Sequence, residues 1–201
     1  MKLLNFLLVF PVANIFKRDA NIFYADSLAE DVIEYQKFID NIDSNLLNFF
    51  STRNHPQKER RELDFLNFIS YDKKKIKNIQ TNISFDKAIT NCGLIIFNYL
   101  STEFFKLISL NIPCLLLLNK NVFNYLVADE VKIDFYKLSD VGIFYTDGAE
   151  LAKQVNKISN NIENWWSDEK SIKIKKEFCD RYSSSNFNTQ LFVNELKSHD
   201  K

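Results

Sequence analysis

Residues 94–118 read LIIFNYLSTEFFKLISLNIPCLLLL, the order of parts in a complete βαβ unit. The apolar run Leu94–Phe97 leads into a polar turn, Asn98–Thr102, and then into an amphipathic segment. The loop Asn111-Ile112-Pro113 ends that segment, and a second apolar run follows from Cys114 to Leu118. Short apolar runs without alternation are strands buried on both faces, as in parallel sheets covered by helices. Parallel neighbours need a crossover, so Glu103–Leu110 is expected to be the connecting helix. In such sheets ligands gather beyond the carboxyl ends of the strands. Free backbone N–H groups and the positive end of the next helix favour an anion there. Asn98, Ser101 and Thr102 occupy that edge.

Outward from this unit the same alternation continues. Leu3–Phe10 reads as a first buried strand closed by Pro11, and Pro11–Ser27 as a long polar loop. A signal-peptide core is the other reading of the amino terminus, but the run is short, holds Asn5 and lacks a small-x-small cleavage triplet. From Leu28 to Ile42 the positions of Val32, Ile33, Phe38, Ile39 and Ile42 give a helical stripe. Leu46–Thr52 is expected as a strand followed by the turn Arg53-Asn54-His55-Pro56. Residues 57–66 read as a charged helix, Asn67–Tyr71 as a weaker strand and the next residues as a basic connector. Ser84 is placed to cap a helix ending near Asn91, with Gly93 just beyond it. A helix over Asn121–Tyr136 and a short strand at Ile143–Tyr145 come next. Asp147 then starts a helix through Leu151, Val155 and Ile158, and helices over 161–182 and 187–197 close the chain. The fold class expected is α/β, a Rossmann-like, doubly wound, mostly parallel sheet. Residues 1–160 would form it, and 161–201 a helical tail packed on the same domain.

Composition narrows the functions. The chain has 201 residues, with 26 basic against 26 acidic side chains, so no global field draws it to nucleic acid or an anionic membrane. The basic runs Lys73-Lys74-Lys75 and Lys173–Lys176 are flanked by acids and read as solvated helix faces. No stretch reaches the roughly 18–20 apolar residues of a membrane span. Cys92, Cys114 and Cys179 are odd in number and widely spaced, which fits free thiols in a reducing, cytoplasmic compartment. With His55 and His199 the only histidines, neither a metal site nor another cofactor is expected. Only three Gly occur, where average usage gives about 14, so glycine-rich phosphate loops are not available as a signal.

Three loops should meet at the carboxyl edge of the sheet. In the first, Arg53 can fork onto phosphate or carboxylate oxygens, and His55 can donate to the same group. A surface turn with Arg53 paired to Glu59 or Glu62 is the alternative. In the second, Ser101 or Thr102 can contact an anion, or simply cap the helix that follows. Glu103 complements the helix dipole but repels an anion. In the third, Lys120 of Asn119-Lys120-Asn121 can complete a cationic clamp. Trp165-Trp166 reads as a hydrophobic anchor for the tail, and Arg181-Tyr182 as a helix end. No Walker loop, GxGxxG, GxSxG or HExxH is present.

The ordered set Asn98-Tyr99-Leu100-Ser101-Thr102, Asn111-Ile112-Pro113, Gly142-Ile143-Phe144, Trp165-Trp166 and Phe178-Cys179-Asp180-Arg181-Tyr182 resembles a known pattern. It is that of transferases from bacterial surface-polysaccharide (O-antigen) gene clusters, related to GT-B glycosyltransferases. Arg53-x-His55-Pro56 is also similar to a turn of GT-B-type polymer transferases. The resemblance implies the carboxyl-terminal, nucleotide-sugar-binding domain of a GT-B enzyme. The acceptor domain would be supplied by another segment or partner chain. Arg53, His55, Ser101 and Thr102 would contact the donor phosphates, with Asn98, Lys106 and Lys120 as further donor contacts and no metal. Asn98 stands where the family has aspartate, Glu103 where it has threonine, and Lys106 where it has an acidic residue. A fragment, one half of a split enzyme or a decayed copy would each fit. The alternative is a non-catalytic α/β interaction module derived from such a transferase.

Overall fold

A computed structural model describes residues 5–9, 22–53, 69–70, 76–78 and 83–183, the side chains of 22–28, 77–78 and 126 excepted. In chain order the elements begin with β1 (Phe6–Val9), α1 (Ile22–Asn41), a 3-10 turn (Leu47–Phe49), β2 (Phe50–Arg53) and β3 (Lys77–Asn78). Next come α2 (Phe85–Ile89), β4 (Leu94–Phe97), α3 (Thr102–Ser109), β5 (Cys114–Leu117) and α4 (Lys120–Leu126). The last are α5 (Asp129–Asp140), β6 (Phe144–Tyr145), α6 (Gly148–Ile158), α7 (Ile162–Trp166) and α8 (Glu169–Tyr182). The strands form one parallel sheet in the order β3-β2-β1-β4-β5-β6. This is the Rossmann-like α/β architecture that the apolar runs and their spacing imply.

Strand alternation divides the core into two layers. Phe6, Leu8, Phe50, Leu94, Ile96, Leu115 and Leu117 face α1 and α6, meeting Tyr35, Phe38, Leu151 and Val155. Leu7, Val9, Ile95, Phe97, Cys114 and Leu116 face the other way, onto Phe104 and Leu107 of α3, Phe123 of α4, Phe135 of α5 and Phe178 of α8. The crossover from β1 runs outward to β2, and that from β4 runs the opposite way to β5. Because both crossovers are right-handed, their helices fall on opposite faces. The sheet therefore changes direction between β1 and β4, and in folds of this kind ligands bind at the carboxyl edge of such a switch point. Register fixes its floor: Val9 pairs with Arg53 on one side and with Phe97 on the other.

Helices α1 and α6 touch backbone to backbone. A Cβ at Gly148 would stand 1.8 Å from the Glu34 carbonyl oxygen. The Gly148 N–H donates to Glu34 Oε2 at 2.7 Å, and Asp147 caps α6 by accepting from Ala149 N at 2.9 Å and Glu150 N at 3.0 Å.

On the second face, α8 packs on α3 and α5. Buried Asp134 accepts from Arg181 at 2.6 Å and from the Tyr182 hydroxyl at 2.9 Å. Burial raises its carboxyl, but bonds from Tyr182, Lys137 and Arg181 outweigh this and hold it below the usual carboxylate range. The paired tryptophans anchor the tail as expected. Trp165 Nε1 donates to Val141 O at 2.8 Å and Trp166 Nε1 to Asn111 O at 2.9 Å.

Several elements depart from the sequence reading. The strand expected at Asn67–Tyr71 is absent at Ile69 and Ser70; the third strand is Lys77–Asn78, inside the basic connector. Gln36 explains this by taking both backbone groups of Ser70: its Nε2 donates to Ser70 O at 3.1 Å, and its Oε1 accepts from Ser70 N at 2.7 Å. Leu47–Phe49 is a 3-10 turn rather than strand, closed by Phe49 N donating to Leu46 O at 2.9 Å. Helix α1 starts at Ile22, inside the expected loop, since no Gly or Pro interrupts that stretch. The helix expected over Asn121–Tyr136 is two, because Val127 turns extended to bury its side chain, and acidic Asp129 and Glu130 open α5. The span 161–182 is also two helices, as the Asp168 carboxylate caps α8. Lys175 is not on a solvated face. It is buried under Trp166, 3.7 Å from the ring centroid, and donates to Asn111 Oδ1 at 2.9 Å and Trp166 O at 2.6 Å. Burial lowers its ammonium to about 8. The expected helices over 57–66 and 187–197 lie outside the described residues.

Replacing Gly148 by Ala is expected to destabilise the protein by about 1–3 kcal/mol, since backbone cannot move aside as a flexible side chain would. Urea unfolding of the variant measures this, and an unchanged midpoint would contradict the contact.

Candidate functional site

The switch point between β1 and β4 is flanked by the β2 and β4 ends and α3 on one side, and by α1 and the β5 end on the other. Arg53 closes β2 and is only 4% exposed. Its Nη2 donates to Ile83 O at 2.6 Å, while its buried Nη1 has no partner among the described residues. Burial pulls its pKa down, and the neighbouring Tyr99 hydroxyl opposes this. A buried guanidinium with an uncommitted N–H is costly and is stabilised by an anion.

Asn98 follows β4 directly and is 3% exposed. Both its Oδ1 and its Nδ2 lack partners among the described residues. It continues the alternation of Leu94 and Ile96, the α1 side of the sheet. Tyr99 packs toward the other side. Its hydroxyl is raised by burial and by Glu103, against a Ser101 hydrogen bond and the Arg53 charge. The Tyr99 hydroxyl thus has Ser101 as a hydrogen-bond partner and feels the charges of Arg53 and Glu103.

The two hydroxyls differ. Ser101 is buried and caps α3 through Oγ, which accepts from Phe104 N at 3.2 Å. Thr102 is exposed, and its Oγ1 donates to Glu103 Oε2 at 3.2 Å. Lys106 stands a turn down α3, in an exposed ion pair with Asp86 at 2.7 Å. Lys120 is exposed at the start of α4, beyond the β5 end. His55 lies outside the described residues.

The opposite wall is what the sequence reading missed. Asn119, two residues past β5, accepts from Val122 N at 2.8 Å to cap α4, and its Nδ2 donates to Asp31 Oδ1 at 2.6 Å. Burial lifts the Asp31 carboxyl to about 7; Asn119 opposes this, and the charges of Glu30 and Glu34 add to it. Glu30 accepts from Asn121 Nδ2, and Glu34 from Gly148 N and from Lys37 at 2.8 Å. Tyr35 is fully buried, its hydroxyl raised by burial and by the charges of Asp31 and Tyr99. Asp31, Tyr35, Tyr99 and Arg53 thus form one chain of electrostatic neighbours across the crevice. A signal existed in the sequence, three carboxylates in little more than one helical turn, but the pairing of Asp31 with Asn119 spans 88 positions.

Such a crevice offers a cation, an uncommitted amide and the α3 N-terminus on one side, and a carboxyl that titrates near neutrality on the other. Among the described residues no group of three His, Cys, Asp or Glu side chains is arranged for a metal ion. Nor is any described helix long and apolar enough to cross a membrane. A family model described as LIC12162 family transferase matches residues 12–196. No curated protein and no solved structure matches the chain.

Asp31 carries a stability cost with a definite pH dependence. Its carboxyl binds a proton more tightly in the folded chain than unfolded, so its contribution is present near pH 4 and is lost as pH rises to about 7. Asp31→Asn is expected to be more stable than wild type above pH 7, with the gap closing toward about pH 4. Denaturant unfolding across that range checks it; parallel curves would contradict the strained carboxylate.

Proposed function

Because the chain belongs to the LIC12162 family of transferases, we propose that its crevice binds the nucleotide-sugar donor of a glycosyl transfer that builds bacterial surface polysaccharide. The observation that carries this reading is the desolvated Arg53 guanidinium, one nitrogen uncommitted, across β1 from the unpaired Asn98 amide. A diphosphate would satisfy the open guanidinium nitrogen. Such buried, unpaired polar atoms are rare unless a ligand completes them.

In the reaction an acceptor hydroxyl attacks the anomeric carbon. The bond from that carbon to the diphosphate oxygen breaks, and the acceptor proton passes to a base. Charge grows on the leaving diphosphate, and Arg53 and the N–H groups at the α3 start would stabilise it without a metal. Ser101 fixes that helix start by capping, and the Thr102 hydroxyl and His55 act as further phosphate donors. Asn98 orients the diphosphate. Lys120 lies at the mouth, whereas the Lys106–Asp86 pair favours a role in holding α2 to α3. The acceptor is held by a further domain or a partner chain.

A thermal-shift panel of UDP-, GDP-, CDP- and CMP-linked sugars is expected to raise the melting temperature with one donor class, through mass action on the folded state. Calorimetry with that donor should then show Arg53→Ala weaker by about 1.5–3 kcal/mol, the range for a hydrogen bond to a charged group. Equal affinities would reject Arg53 as the phosphate contact. No shift with any sugar would favour a non-catalytic interaction module.

A further inference from the structure

Two asparagines follow strands at the carboxyl edge, and the fold treats them differently. Asn119, past β5, is buried and engaged at both ends of its amide. Its Oδ1 accepts from Val122 N at 2.8 Å, and its Nδ2 donates to Asp31 Oδ1 at 2.6 Å. Asn98, directly past β4, is 3% exposed, and neither end has a partner among the described residues. We infer that Asn98 reads a hydroxyl of the ligand whose diphosphate lies on Arg53: Oδ1 accepts from that hydroxyl, while Nδ2 donates to another of the ligand's oxygens. This rests on the donor-site reading above and deepens it by adding a specificity-determining residue.

The amide requires more than an anion. A carboxamide carries an acceptor oxygen and two N–H donors. An ionised diphosphate diester offers acceptors only, so it can engage Nδ2 but leaves Oδ1 bare. Exchanging the amide oxygen and nitrogen changes nothing, because one end always needs a donor. The hydroxyls that follow Asn98 in the chain are already committed. The Tyr99 hydroxyl is hydrogen-bonded to Ser101, and Ser101 Oγ accepts from Phe104 N at 3.2 Å. The Thr102 hydroxyl donates to Glu103 Oε2 at 3.2 Å. A buried amide left open at both ends is costly, and a ligand hydroxyl supplies what the diphosphate lacks.

Strand register limits which hydroxyl this is. Val9 pairs with Arg53 on one side and with Phe97 on the other, so Asn98 begins one residue beyond the row that holds Arg53. Two strand spacings separate the backbones at the ends of that row, roughly 10 Å. The groups bonded directly to a diphosphate on Arg53 are the ribose and the transferred sugar, and the base is a further ring away. A hydroxyl of one of these two rings is the donor nearest the diphosphate.

Calorimetry on wild type tests this with the nucleoside diphosphate sugar that stabilises it, taken from the UDP-, GDP- and CDP-linked panel. Analogues of that compound lacking the ribose 2′-hydroxyl, the ribose 3′-hydroxyl or the sugar 2-hydroxyl are compared with the parent. One analogue should bind about five- to 150-fold more weakly, since it leaves Oδ1 buried and unpaired. Which analogue loses affinity tells ribose from sugar. In Asn98→Leu the parent should fall to the level of that analogue and the gap should close. Asn98→Ala gives the same reading if the leucine overfills the site. A merely structural role would weaken every ligand alike and leave the gap. Analogues that all bind wild type as tightly as the parent, while Arg53→Ala still weakens the parent, overturn this inference alone. So does a gap that survives the loss of the Asn98 amide. Failure of every nucleotide sugar to bind wild type overturns the donor-site reading along with it.

Discussion

The backbone contact between α1 and α6 at Gly148 is the constraint on which the crevice depends. Helix α1 carries Asp31 and Tyr35, and its seat is fixed where the Glu34 carbonyl oxygen approaches the glycine too closely for any side chain. Glu34 adds a directed bond by accepting from the Gly148 N–H. A short polar link and a missing Cβ therefore decide how far α1 lies from the sheet, and with it where the acidic wall stands. The chain has three glycines, and this one is spent on a close approach rather than on a phosphate-binding loop.

The same economy applies at the switch point. A glycine-rich nucleotide loop lets backbone N–H groups reach a phosphate directly. Here the equivalent edge is built from side chains: a buried guanidinium, a buried amide and a capped helix start. These groups sit above a floor of Val9, Phe97 and Leu116, all buried, which keeps the local dielectric low and makes each unpaired polar atom expensive. On the acidic wall the cost is carried by Asp31, whose proton affinity is raised because burial and the charges of Glu30 and Glu34 outweigh the Asn119 hydrogen bond. The two walls are thus held in opposite states of need, one for an anion and one for a proton or a cation.

Under α8 on the far side of the sheet, by contrast, the buried polar groups Asp134, Lys175 and Trp166 are paired. Asp134 has three partners, Lys175 has two hydrogen bonds and an aromatic face, and both tryptophan N–H groups find carbonyls. Polar groups buried for structure are paired within the chain; those left open gather at the carboxyl edge. That contrast separates a binding site from a core more clearly than residue type does.

The apolar runs at Leu94–Phe97 and Cys114–Leu118, the Pro113 break and the caps Ser84, Ser101 and Asp147 are local signals, and they determined the parallel sheet and its helices. What depended on distant partners was not legible. Lys175 looked solvated because its neighbours in sequence are charged, yet Trp166 and Asn111 enclose it. Ser70 looked like strand, yet Gln36 from α1 takes its backbone groups. Asp31 looked like one more acid on a helix until the fold set it against Asn119, 88 positions away. Local sequence determined which segments become strands and helices, because periodicity and capping act within a turn or two. The tertiary structure alone decided which polar groups lose water and which find a partner, because burial and pairing are properties of the assembled chain.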